Sequence, residues 1–143
     1  MKVPSPFIRI LQILPEAPPA LVIVTALNLV RKQLWPEEDF AWLLGRTVRL
    51  SASDIGCGIS YSFSDGRFVI SKQPADVTFG ASLADYWIIA RRQEDPDTLF
   101  FQRRLTIAGD TELGLQLKNL MDATDFSPLF EKIPQPIRLR FGF

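Results

Sequence analysis

Carboxylates are the side chains in this sequence best suited to chemistry. Glu37, Glu38 and Asp39 stand in a row after Pro36, and Asp95 and Asp97 flank Pro96. Oxygen-rich groups of this kind bind hard cations, and paired carboxylates serve as acid and base. Both groups also precede helix-like segments, where a carboxylate accepts from unpaired first-turn amides, and that placement explains them more simply. Ser51, Ser53, Ser60, Ser62 and Ser64 offer hydroxyls, but they alternate as on the wet face of a strand, and none has an evident base. The sequence has no histidine, which excludes histidine-based triads and acid–base relays. Cys57 is the single cysteine, so neither an internal disulfide nor a Cys/His metal site is available. The expectation is a protein with no catalysis, metal or cofactor of its own.

Binding is what remains, and composition narrows its kind. Sixteen basic and sixteen acidic side chains cancel, which removes the electrostatic footprint of a nucleic-acid binder. With 143 residues, 47% of them hydrophobic, the chain has enough apolar surface for one packed domain. Residues 1–17 read as an N-terminal extension, 18–133 as the domain and 134–143 as a tail. Pro4, Pro6, Arg9 and Gln12 interrupt the apolar start, so no secretory signal is expected and the reading is cytoplasmic, with the inner membrane surface as a peripheral site. The greasiest run, 20–30, is about half the length that a membrane span requires.

That run sits in a helix-like segment near 20–34. Leu21, Val22, Ile23, Val24, Ala26, Leu27, Leu29 and Val30 leave only Thr25, Asn28 and Lys32 as a polar stripe. A circumference this apolar predicts burial on most sides. It fits a central core helix; it also fits a helix with one side on protein and the other lining a lipid cavity or resting on a membrane. The middle of the chain supplies strands. Val48, Leu50 and Ala52 alternate with polar residues, as do Ile59, Tyr61 and Phe63. Asp65-Gly66 signals a type I′ hairpin pairing Phe63 with Phe68 and Tyr61 with Ile70. Val77 and Phe79 suggest a further strand, and Leu105 with Ile107 a last one. The resulting α+β fold has about five mostly antiparallel strands, with one apolar face covered by helices. The covering segments are the early helix, residues 40–44, a helix near 82–92 capped by Ser82 with Asp85, and one near 110–122. In the last, Leu113, Leu117, Leu120 and Met121 share a face, and Gly114 permits close approach of a neighbour or a ligand.

One stretch carries more than pattern. Residues 95–105 read Asp-Pro-Asp-Thr-Leu-Phe-Phe-Gln-Arg-Arg-Leu, residues 109–115 Gly-Asp-Thr-Glu-Leu-Gly-Leu, and residues 118–122 Lys-Asn-Leu-Met-Asp. These strings resemble the ubiquinone-biosynthesis accessory factors of the UbiT family, bacterial members of the sterol carrier protein type-2 superfamily. The resemblance is specific over about thirty residues; upstream, 37–93 fit the superfamily in pattern alone. It implies a sterol-carrier-like fold with an apolar cavity between sheet and helices, and a role in carrying or presenting prenylated ubiquinone precursors to oxygen-independent hydroxylases. The partners it implies are UbiU and UbiV, which hold the iron–sulfur clusters. A phospholipid is a second ligand class, and a scaffold or membrane-surface adaptor without lipid transfer is the alternative function.

Against that expectation the cavity candidates are Leu27, Val30, Phe68, Phe79, Leu83, Trp87, Phe100, Leu113, Leu117, Leu120 and Met121. Wall and core are both apolar, so each candidate reads equally as packing. Met121 leans toward the wall because its thioether adapts to irregular shapes. Arg103 and Arg104, beside two phenylalanines and without an obvious cap to make, are candidates for a partner or lipid headgroup. Arg138, Arg140, Phe141 and Phe143 in the tail suit an anionic membrane surface or a packed terminal strand.

Overall fold

Asp65 and Gly66 take left-handed φ angles of 54° and 75°, the conformation that a type I′ turn demands. This turn joins β2 (Cys57–Ser64) to β3 (Arg67–Ile70) in the expected register, with Phe63 opposite Phe68 and Tyr61 opposite Ile70. The computed structural model describes residues 17–131. The N-terminal extension up to residue 16 and the tail arginines lie outside the described residues.

Around the hairpin the sheet grows in the order β3-β2-β1-β4-β5, with β1 at Val48–Ala52, β4 at Val77–Ala81 and β5 at Thr106–Gly109. All pairings are antiparallel except β1 with β4. Alternation then sorts the faces. Val48, Ile59, Tyr61, Phe63, Phe68, Val77 and Phe79 are buried on one side. Arg49, Ser60, Ser62 and Thr78 lie half-buried on the other, the wet face that the serine spacing predicted.

Helices close the apolar face. They are α1 (Ala17–Leu34), α2 (Leu83–Ala90), α3 (Pro96–Phe101), α4 (Thr111–Asp122) and the single turn α5 (Ser127–Phe130). Three begin on the caps expected of their sequences. Ser82 Oγ accepts from Asp85 N at 3.0 Å, Asp95 from Thr98 N at 2.7 Å with Pro96 in the first turn, and Asp110 from Leu113 N at 3.1 Å. The other acidic cluster also serves the backbone. Glu38 accepts from Phe40 N and the Trp42 indole, and Asp39 from Ala41 N, which fixes the short helical turn Ala41–Leu43. No group of three or more potential metal ligands occurs among the described residues.

Gly114 sets how closely α4 meets the sheet. A Cβ there would stand 2.5 Å from Ile107 Cγ2 and 3.3 Å from Val77 Cγ2, so its missing side chain accommodates β5 and β4.

α1 departs from the expectation of a central core helix. It packs along the edge strand β3 and its neighbour β2, and leaves Leu21, Val22 and Leu29 at 58%, 69% and 67% exposure. Asn28, expected on the polar stripe, faces the protein. Its amide donates to Phe68 O at 2.9 Å and its carbonyl accepts from Phe68 N at 2.8 Å. Phe68 directs both backbone groups outward from the sheet, so Asn28 takes the place of a further strand and seals the edge. No helix among the described residues is long and apolar enough to cross a membrane.

Candidate functional site

Between α1, the sheet and α4 the packing does not close. A cavity of about 180 Å³ remains, lined by Ile23 and Leu27 of α1, Trp35, Phe40, Leu43, Leu50, Tyr61, Phe68, Phe79, Phe126, and Leu117, Leu120 and Met121 of α4. The aromatic walls hold their shape through edge and tilted ring contacts. Phe40 meets Trp35, Phe63 and Phe68 with ring centroids 5.0–5.3 Å apart. Phe40 sits at a left-handed φ of 56°, where the chain turns its ring inward beneath α1.

The polar atoms around this cavity are occupied or held neutral. The Trp35 indole donates to Thr124 Oγ1 at 2.8 Å, and Thr124 in turn donates to Leu120 O. Burial pushes the Tyr61 phenol far above the usual tyrosine range, with the nearby Tyr86 adding to the shift, so Tyr61 presents a neutral hydroxyl. Tyr86 lies outside the cavity, donating to the backbone oxygens of Ser51 and Phe79 at 2.9 and 3.2 Å. Burial raises its pKa to about 12, against the lowering effect of the Ser51 bond.

The structure brings together six of the eleven cavity candidates: Leu27, Phe68, Phe79, Leu117, Leu120 and Met121. Five lie elsewhere. Val30 and Leu113 are fully buried packing residues, Val30 where α1 meets the sheet and Leu113 where α4 does. Leu83 and Trp87 on α2 are half-buried, with the Arg91 guanidinium 5.5 Å from the Trp87 ring centroid. Phe100 points away from the cavity, against Phe101 and under Lys118. Helical spacing alone does not separate these positions, because the wall is chosen by the tilt of each helix over the sheet. The residues missed, Ile23, Trp35, Phe40, Leu43, Leu50, Tyr61 and Phe126, include four aromatics, two of them, Trp35 and Phe40, at the ends of the short loop after α1; the signal for those two was the density of rings between 35 and 42.

Arg103 and Arg104 have different fates. Arg104 binds Asp85 at 2.5 Å, Glu94 at 3.1 Å and Gln102 at 3.0 Å, tying α2 and the loop before α3 to the loop before β5. That is the structural explanation absent from the spacing alone. Arg103 closes α3 at a left-handed φ of 61°, is exposed, and makes no side-chain hydrogen bond or ion pair among the described residues. Phe101 beside it is 80% exposed. The rest of the 95–105 string is scaffold: Leu99 is fully buried, and Asp97 pairs with the buried Lys118.

Comparison with known proteins agrees with this architecture. The chain is 43% identical over 109 residues to the ubiquinone biosynthesis accessory factor UbiT of Escherichia coli strain K12, an alignment covering 76% of this chain and 60% of that protein. It therefore spans less than two thirds of the length of that relative. Among solved structures, the UbiJ-SCP2 ubiquinone synthesis protein superposes with a TM-score of 0.56 at 16% identity, over 71% of this chain and 95% of that one. A double-mutant form of the sec-alkyl sulfatase PisA1 matches at 0.50 and 24% identity, over 70% of this chain but 16% of the enzyme. These likenesses concern the fold. Residues 25–122, which run from within α1 to the end of α4, match the SCP-2 sterol transfer family, and the chain belongs to that family.

Proposed function

We propose that this protein is a non-catalytic lipid carrier of ubiquinone biosynthesis, holding a prenylated precursor by its hydrocarbon tail and presenting the ring to soluble enzymes. The observation that carries this reading is the aromatic-walled cavity of about 180 Å³ beneath α1, whose nearby polar groups are already paired or neutral. A tail of several tens of carbons costs on the order of 20 kcal/mol to keep in water, at about 0.8 kcal/mol per methylene. A preformed apolar pocket removes the part of that cost that belongs to the carbons it encloses, while the head stays accessible. The 43% identity to UbiT supports the pathway, and by that likeness the enzymes served are UbiU and UbiV in the oxygen-independent branch. The exposed Leu21, Val22 and Leu29 on the same helix that walls the cavity support loading at a membrane surface.

The test is extraction of the purified protein with organic solvent, followed by mass spectrometry for a bound quinone precursor or phospholipid. Replacing Leu117, a buried wall residue, with Asp should abolish retention in a protein that still folds by circular dichroism. Full retention by the folded variant would remove the cavity from the reading. A second reading, a scaffold that gathers enzymes without carrying lipid, draws on Phe101 and Arg103, an aromatic that is 80% exposed beside an exposed cation. A lipid-free extract together with intact enzyme binding would favour it.

A further inference from the structure

The two edges of the sheet differ in how they end. Asn28 seals β3 by bonding both outward backbone groups of Phe68, whereas β5, at the opposite edge, has β4 as its only neighbouring strand. Asp110 N donates to Asp76 O at 2.8 Å, and the register runs on from there through Thr78 with Ala108 to Gly80 with Thr106. Antiparallel ladders alternate, so Ala108 and Thr106 turn their backbone groups toward β4, and Ile107 turns its N–H and C=O away from it. Neither group of Ile107 meets a partner among the described residues. The strand, Thr-Ile-Ala-Gly, is short, but it carries no charge, no proline and no bulge to blunt the edge.

We infer that β5 is an association edge and that its occupant is β5 of a second copy of this chain, paired antiparallel about Ile107. The charges at the two ends of the strand identify that occupant. Arg103, just before β5, and Glu112, just after it, are both exposed, and neither side chain has a hydrogen bond or ion pair among the described residues. A twofold axis at Ile107 lays Ile107 against Ile107 and brings the Arg103 end of each copy alongside the Glu112 end of the other, so opposite charges meet twice. A parallel approach of the same edges would set Arg103 beside Arg103 and Glu112 beside Glu112. On the outer face Thr106 falls opposite Ala108 of the second copy, and both are small and exposed, so nothing obstructs the pairing.

Apolar surface accompanies this edge. Phe101, at the end of α3, and Leu115, on the α4 helix that packs on β5, are both exposed. Strand pairing carries α4 of one copy toward α4 of the other and gives these side chains something to cover. The product is one continuous sheet in which both outer edges are β3, the strand that Asn28 already closes, so association stops at two copies.

The experiment is sedimentation equilibrium of the full chain over a wide range of concentration, together with hydrogen exchange resolved at Ile107 and Ala108. A dimer is expected. The Ile107 amide should become protected only as the dimer forms, whereas the Ala108 amide, bonded within the subunit, should exchange slowly at every concentration. Arg103→Glu and Glu112→Arg each turn two attractive pairs into repulsive ones and should weaken association by about tenfold; the double variant restores both pairs and should recover it. Both side chains are exposed with no hydrogen bond or ion pair to lose within the subunit, so folding is secure in each variant. A chain that stays monomeric throughout, a dimer that leaves Ile107 exchange unchanged, or a double variant no stronger than either single one would overturn the proposal. Protection of Ile107 only when a hydroxylase is added to a monomeric chain would overturn it too, and would give the edge to that enzyme.

Discussion

At the scale of single residues, Gly114 and the two tyrosines make the sharpest claims. Alanine at position 114 improves helix propensity by about 1 kcal/mol. Its methyl, however, would stand 2.5 Å from Ile107 Cγ2, a branch fixed close to the β5 backbone that cannot swing away. Overpacking of that kind costs about 1–3 kcal/mol, so Gly114→Ala should lower the urea midpoint, and an unchanged or raised midpoint would show α4 riding higher over the sheet. Tyr61 and Tyr86 are the only tyrosines in the sequence, and burial raises both. For Tyr86 the value moves from 10.0 to about 12. The folded value lies above the unfolded one, so its stabilising contribution is complete below about pH 10 and is lost as pH rises through 12. Ultraviolet titration of the native protein should therefore show no tyrosinate step near pH 10, and denaturant should restore one for both residues. A step near 10 in the folded protein would place a phenol in water.

At the scale of elements, the interest lies in what holds α1 and α3 in place. Asn28 satisfies both outward backbone groups of Phe68. Asn28→Leu keeps the branched outline of the side chain and leaves that donor and acceptor without partners, at a cost of about 1–3 kcal/mol. Amide exchange at Phe68 should accelerate well before the sheet as a whole opens; exchange as slow as in the parent would mean that the edge is sealed by something else. The adjacent arginines separate in the same way. Arg104→Glu sets a carboxylate against Asp85 and Glu94 and should lower the melting temperature, whereas Arg103→Glu should leave it unchanged and reduce capture of the hydroxylases proposed above as partners. Loss of capture only with Arg104→Glu would move the docking surface away from Arg103. These elements also show where sequence sufficed. The β2–β3 hairpin was legible because turn chemistry and alternation are local and agree, and the caps at Ser82, Asp95 and Asp110 because a cap is read within four residues. Asn28 and Arg104 were not, because their partners stand 40 and 19 positions away. Phe40 reaches the cavity through a left-handed backbone that no apolar period announces.

At the scale of the whole molecule, the proposed carrier role raises the question of how a cavity this small would serve a long tail. An apolar hole of about 150 Å³ takes a benzene, so about 180 Å³ accommodates about seven carbons. A polyprenyl tail is several times that, and its excess must either leave the protein or part the walls. The sheet is tied into one continuous ladder from β3 to β5, whereas α1 rests on its edge and presents both a wall residue, Ile23, and an outer apolar face. Moving α1 outward would lengthen the slot along its axis, and a membrane under Leu21, Val22 and Leu29 would cover what the movement exposes. The two mechanisms differ in their dependence on tail length. With rigid walls, affinity for a series of alkylphenols should rise by about 0.8 kcal/mol per methylene to about seven carbons and then level off. With a yielding α1 it should go on rising beyond that length, and the Asn28→Leu variant, whose helix is less firmly attached, should gain most from the longest tails. We expect the second outcome. A plateau at the same chain length in parent and variant would fix the walls, and would leave the end of any natural tail outside the protein.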